Sequence, residues 1–134
     1  MIVIDASVLC SALTDDGHIG RLSRLEMMRD DHWTAPEHLF VETFSAIRGR
    51  LLGGKISEER AKHAVAALGE LTIDLMDTTA LLSTMWELRA NVSGYDAAYV
   101  AAAEALRCAL VTADGKLARS EAAGCEIRLI RHRT

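Results

Sequence analysis

The stretch SGYDAAYVAAAEALRCALVTADGKLAR, residues 93–119, decides the fold. It reads as a helix, a short apolar strand and a turn that opens another helix. Ser93 and Asp96 stand at capping-box spacing, with a hydroxyl at the cap and an acid three residues on. Tyr95 to Arg107 is rich in alanine, which costs least in a helix and lets it lie close against a neighbour. Cys108-Ala109-Leu110-Val111-Thr112 is short, apolar and partly β-branched, as a buried parallel strand requires. Thr112-Ala113-Asp114-Gly115 then sets a carboxylate just past the strand's carboxyl end, where open α/β sheets place their ligands.

The remaining chain alternates in the same way. Ile2-Val3-Ile4 is a continuous β-branched run, a buried first strand ending at Asp5. After Val8-Leu9 a polar loop is expected through Thr14-Asp15-Asp16-Gly17, with Asp15 and Asp16 as capping charges for a helix from His18 to Arg29. Ile19, Leu22 and Leu25 mark the inner face of that helix. A second strand covers 32–35, and Pro36 opens a helix to about Leu52, ending at Gly53-Gly54. Its apolar stripe is Phe40, Phe44, Ile47 and Leu51, while Glu42 leads a row of small residues, Ala46, Gly49 and Gly53, suited to the wall of a pocket. Ser57 caps the next helix, with Ala61, Val65, Leu68 and Leu71 inward. Ile73 to Met76 is a third strand, near an edge, and Thr78 or Thr79 starts a helix through about Ala90 carrying Leu81, Leu82, Met85 and Leu88. A final strand spans 125–130, followed by a basic tail, 131–134. Strands alternating with helices imply a parallel sheet with helices on both faces.

Bulk properties narrow the function. The 134 residues are expected to make a single domain, 1–134, and half of them are hydrophobic, which excludes disorder. A net charge of −4 leaves no footprint of a general nucleic-acid binder, although carboxylates gathered around cations make such a count misleading. The three cysteines, Cys10, Cys108 and Cys125, have no C-x-x-C pairing, and two of them, in or beside apolar stretches, read as small buried hydrophobes. With no basic leader and no apolar run of membrane length, a cytoplasmic protein is expected.

Four acids stand out: Asp5, Glu42, Asp96 and Asp114. Each has an ordinary explanation. Asp5 ends a strand, Glu42 faces solvent, Asp96 completes a capping box and Asp114 is an N-cap. Taken together they read differently, because Asp5 and Asp114 leave the same carboxyl edge of the sheet and the other two lie in early helical turns. Carboxylates so close disfavour joint ionisation unless a cation is present. Oxygen-only ligands suit Mg²⁺ or Mn²⁺ rather than zinc, and the chemistry that fits is metal-assisted phosphodiester hydrolysis.

Tyr95-Asp96-Ala97, the alanine-rich helix and Leu110-Val111-Thr112-Ala113-Asp114 with Leu117-Ala118 closely resemble the C-terminal signature of PIN-domain ribonucleases, particularly VapC-type toxins. The other acids match that pattern in order: Asp5 in Val-Ile-Asp-Ala-Ser, and Glu42 six residues after Pro36. The resemblance spans essentially the whole chain. It implies a three-layer α/β fold with a parallel five-stranded sheet in order 3-2-1-4-5. It further implies a metal-dependent endoribonuclease of a toxin–antitoxin pair that cuts tRNA or ribosomal RNA. The four acids would serve metal binding and water activation, with Ser7 and Thr112 in support. A homodimer and a small VapB-like antitoxin are the implied partners. Gly115 departs from the bulkier residue expected after the last acid and gives that loop more freedom. Arg48, Arg50, Lys116 and Arg119 flank the acids in sequence and are candidates for RNA contact, though for any one of them a solvated surface place is the more ordinary role.

Rival readings are weaker. His18, His32, His38, His63 and His132 show none of the pairing that a metal-free ribonuclease needs. A haloacid-dehalogenase-like phosphatase wants a second Asp where this chain has Ser7. A non-catalytic PIN-like module binding RNA or protein usually lacks one acid, and none is lacking here. A DNA-directed nuclease of the same fold is not separated from an RNA-directed one by sequence.

Overall fold

A computed structural model describes residues 1–120 and 123–131. Five parallel strands form one sheet in the order β3-β2-β1-β4-β5, as the resemblance implies. Strand β1 is Ile2–Ile4, β2 Trp33–Pro36, β3 Asp74–Met76, β4 Ala109–Thr112 and β5 Ile127–Leu129. The helices are α1 Ala6–Thr14, α2 His18–Met28, α3 Leu39–Leu52, α4 Glu58–Glu70, α5 Leu82–Glu87, α6 Gly94–Leu106 and α7 Gly115–Ala118.

The central pair sets the frame. Every residue of β1 and β4 is buried, and Ile2, Val3 and Ile4 stand opposite Ala109, Leu110 and Val111. This pairing brings the carboxyl ends of β1 and β4 side by side, and with them the residues that follow, Asp5 and Ala113-Asp114. On one face lies α6, whose run Ala97 to Ala103 is wholly buried. Small side chains let that helix sit close to the sheet, and burying them excludes water from both sides of it.

Several expected elements differ. Of the polar loop expected after Leu9 through Gly17, only Asp15-Asp16-Gly17 form the loop, and residues 10–14 belong to helix α1. Asp5 is its N-cap and accepts the Val8 N–H at 3.1 Å, while the Thr14 hydroxyl donates to the Cys10 carbonyl at 2.7 Å. Short polar residues that suggest a loop are here satisfied within one helix. Asp15 caps α2 as expected, accepting from Gly17 and Gly20 N–H at 2.9 Å each, whereas Asp16 pairs with Arg60 at 2.7 Å. Pro36 ends β2 instead of opening α3. Only Trp33 and Thr34 pair with β1, so the missing N–H of proline interrupts no β1 pairing. The helix expected from Thr78 or Thr79 to about Ala90 is a 3-10 turn, Thr78–Ala80, followed by the short α5. Glu37 holds the Thr78 hydroxyl at 2.6 Å and Asp77 caps Thr79, so local side-chain bonds compete with the regular helix there.

Four inner-face assignments are also corrected. Leu25, Phe44, Val65 and Leu82 are exposed, and Met27, Ala64 and Leu81 are buried on α2, on α4 and at the start of α5. Gly49 is exposed with open space around it, so the small-residue row behind Glu42 does not line a pocket. Strand β3 is at the sheet edge, as its composition implied, with Asp74 and Leu75 exposed. Of the expected basic tail, only Arg131 lies within the described residues, and His132 falls outside them.

Candidate active site

Asp5 is 4% exposed, an unusual place for a carboxylate. It is held by α1's first turn and by two hydroxyls: Ser7 donates at 2.6 Å and Thr112 donates to the other carboxyl oxygen. Ser7 Oγ in turn accepts the Ala113 N–H at 2.9 Å, and Thr112 Oγ1 accepts the Asp114 N–H at 3.0 Å. These bonds stitch the end of β1 to the end of β4. Burial raises the Asp5 carboxyl to about 6, against the lowering effect of its hydrogen bonds and with a further push from Asp96.

Asp96 occupies the first turn of α6, where the Ser93 hydroxyl accepts its N–H at 3.2 Å. Its carboxyl is also raised, first by burial and then by the negative charge of Asp114, while Lys116 opposes the shift. Glu42, in the first turn of α3, is half-buried and raised by burial and by Asp96, against a lowering bond from Tyr99. Asp114 caps α7 by accepting the Lys116 N–H at 2.9 Å. Asp96 is therefore the hub, within electrostatic reach of the other three acids. Capping roles for Asp5 and Asp114 hold alongside this grouping and do not compete with it.

Two neighbours were not singled out from sequence. The fully buried Tyr99 donates its hydroxyl to Glu42 Oε1 at 3.0 Å and fixes that side chain. His38 packs its ring 4.8 Å from Tyr99 and 5.6 Å from Tyr95, with Nε2 3.8 Å from Glu42 Oε2. Spacing held a signal for both: Tyr99 is one helical turn after Asp96, and His38 one turn before Glu42.

The basic candidates separate. Lys116 is exposed beside Asp96 and Asp114. The exposed Arg119 guanidinium lies against Gly115, 2.9 Å from where a side chain's first carbon would stand, and as the free end of a long side chain it could move aside for one. Arg48 lines a groove between α3 and α4 with Phe44 and Val65, and Arg50 faces the Asp15 loop. Both sit further along α3, with Arg50 about 12 Å along the helix axis from Glu42 at 1.5 Å per residue. They do not join the acids.

All donors at the centre are oxygens, the set that hard divalent cations prefer. Among the described residues, no three His, Cys, Asp or Glu side chains are grouped closely enough to hold an ion as they stand. No described helix is long and apolar enough to cross a membrane.

Comparison with known proteins agrees with this architecture. The PIN domain family model matches residues 2–122. Ribonuclease VapC9 of Mycobacterium tuberculosis is 35% identical over 130 residues, covering 97% of this chain and 98% of that protein. Ribonuclease VapC1 of the same species is 37% identical, covering 96% and 97%. Among solved structures, Mycobacterium tuberculosis VapC20, a sarcin–ricin-loop-cleaving toxin, superposes with a TM-score of 0.69 at 19% identity, over 93% of this chain and 96% of that one. VapBC2 from Rickettsia felis, bound to a promoter DNA fragment, superposes at 0.62 with 14% identity, over 96% and 98%. At those identities the structures speak for the fold, while the sequence matches speak for kinship: the chain belongs to the PIN-domain family, in its VapC branch.

Proposed function

We propose that the protein is a divalent-metal-dependent endoribonuclease, the toxin of a toxin–antitoxin pair. The observation that carries this reading is the coupling of Asp96 to Asp5, Glu42 and Asp114 at one edge of the sheet. Three of the four carboxyls are held above their ordinary range by burial and mutual repulsion, a cost that a bound cation relieves. The donors are all oxygens, as Mg²⁺ or Mn²⁺ requires, and Asp5, Asp96, Asp114 and Glu42 would hold such an ion with water bridging the gaps between carboxyls that do not meet as they stand. When bound, such an ion supplies an acidified water and charge stabilisation for the leaving oxygen of a phosphodiester.

The chain's own residues do the rest. Ser7 and Thr112 hold Asp5 in one orientation, Tyr99 holds Glu42, and the α7 turn holds Asp114. Lys116 places positive charge beside Asp96 and Asp114, where a phosphate must approach a negative site. RNA as substrate and a VapB-like antitoxin are part of the same reading, supported by the ribonuclease relatives and by the VapBC2 neighbour, and a homodimer joins it on family resemblance alone. Expression of the wild-type chain in cells lacking its antitoxin should arrest growth and create new RNA ends with 5′-phosphates. Glu42→Gln should abolish both. Arrest by the Gln variant at equal expression would remove Glu42 from the site, and intact RNA during wild-type arrest would overturn the ribonuclease.

A further inference from the structure

Beside the acids lies a cavity of about 280 Å³ lined by His38, Val41, Glu42, Ser45 and Tyr95. The acid chemistry does not account for its walls. Three rings run outward in a row: Tyr99 in the core, His38 half-buried, and Tyr95 68% exposed. Val41 adds an apolar side chain 72% exposed, one helical turn from Ser45 on the same face of α3. Most of the surface of this tyrosine and valine is open to solvent, and the part of Tyr95 that is covered lies against the His38 ring. The cavity's polar side-chain groups are few: the Ser45 and Tyr95 hydroxyls, the Glu42 carboxylate, and His38 Nε2, a buried nitrogen without a hydrogen-bond partner.

Resting on the ribonuclease reading, we propose that this cavity is a nucleobase subsite, which takes the base of an unpaired nucleotide adjoining the cleaved phosphate. The chemistry matches on three counts. A nucleobase is flat and presents an aromatic face, which stacks on exposed tyrosine and histidine rings. Its edge carries donors and acceptors for a hydroxyl, a carboxylate and a ring nitrogen within the same cavity. Glu42 belongs to both the cavity and the acid cluster, so a base held here sets its own phosphate beside Asp96. The subsite also states a requirement on the substrate: the nucleotide must be splayed out of a helix, as in a loop or bulge.

The test uses neutral ligands, so that repulsion by the acids plays no part. Adenosine, guanosine, cytidine and uridine, with ribose as the base-free control, are titrated into the intact protein while the NMR signals of the His38 and Tyr95 rings are followed. At least one nucleoside should shift both rings and ribose neither. Tyr95→Phe should keep the response, whereas Tyr95→Ala should weaken it about tenfold, the size of one lost base–aromatic stack. RNA cleavage by Tyr95→Ala should show a raised KM with kcat nearly unchanged. Equal shifts from ribose, or none from any nucleoside, would overturn the subsite. So would Tyr95→Ala dissociating an oligomer while its nucleoside response stayed intact, which would mark the face as a protein interface. Nucleoside binding without RNA cleavage would uphold the subsite and sink the ribonuclease; cleavage with KM unchanged in Tyr95→Ala would do the reverse.

Discussion

At the scale of single residues, the buried carboxyl of Asp5 works against stability at neutral pH. With its carboxyl raised to about 6, the folded protein favours the protonated form more than the unfolded chain does. The contribution to stability is therefore fully present below about pH 4, declines as pH rises through 6, and is absent at neutral pH. A shift of that size corresponds to about 3 kcal/mol lost between the two limits. Asp5→Asn keeps the cap and the Ser7 bond through its Oδ1, while its amide NH2 donates to the Thr112 hydroxyl where the carboxylate accepted, all without the charge. It should raise stability at pH 7 by about 1–3 kcal/mol while abolishing cleavage, and the gain should vanish below pH 4. Thermal unfolding across pH 4–8 checks this, and a destabilised Asn variant at neutral pH would refute it. Added Mn²⁺ should raise the melting temperature of the wild type and leave that of Asp5→Asn nearly unmoved.

Helix ends and strand ends decide where the acids stand, and here the sequence was legible to different depths. The 93–119 stretch is found with its helix, strand and caps within a residue or so of the expected bounds, because alanine richness, a Ser cap and a β-branched strand all agree. Helix α1 was read as a loop because Ser7, Ser11 and Thr14 look like turn residues when their hydrogen-bond partners are unseen. Two of those hydroxyls have definite jobs, Ser7 at the site and Thr14 along the helix. Single inward residues such as Leu25 and Val65 were misplaced because periodicity is blind to which of two adjacent stripes meets a neighbour. At its carboxyl end α6 closes on Arg107 in the left-handed region, at a φ of 53°. Glycine is the ordinary residue there, so Arg107→Gly should stabilise the fold by about 0.5–1 kcal/mol. Denaturant melts of the two forms measure it, and a loss would mean that the arginine side chain contributes more than its backbone costs.

For the whole molecule, the strand order carries the argument. Placing β1 beside β4 joins residues more than a hundred positions apart, and the Thr112 hydroxyl donates to Asp5 across that seam. That Asp5 bonds to Thr112 across the seam, and that Asp96 lies within electrostatic reach of Asp5, Glu42 and Asp114, accords with the topology the family resemblance supplies, which local propensity does not contain. Arg48 and Arg50 were grouped with the acids on proximity in sequence alone, and the length of α3 carries them away. His38 and Tyr99 went unassigned because their roles depend on how α3 meets α6, a tertiary fact. The most direct measurement is incubation of the purified, antitoxin-free protein with total cellular RNA in Mg²⁺, in Mn²⁺ and in EDTA, beside Asp96→Asn. Discrete fragments with 5′-phosphates should appear with metal and disappear with EDTA or in the variant. Cutting that survives EDTA, or that Asp96→Asn performs equally well, would contradict a metal-dependent site built on Asp96.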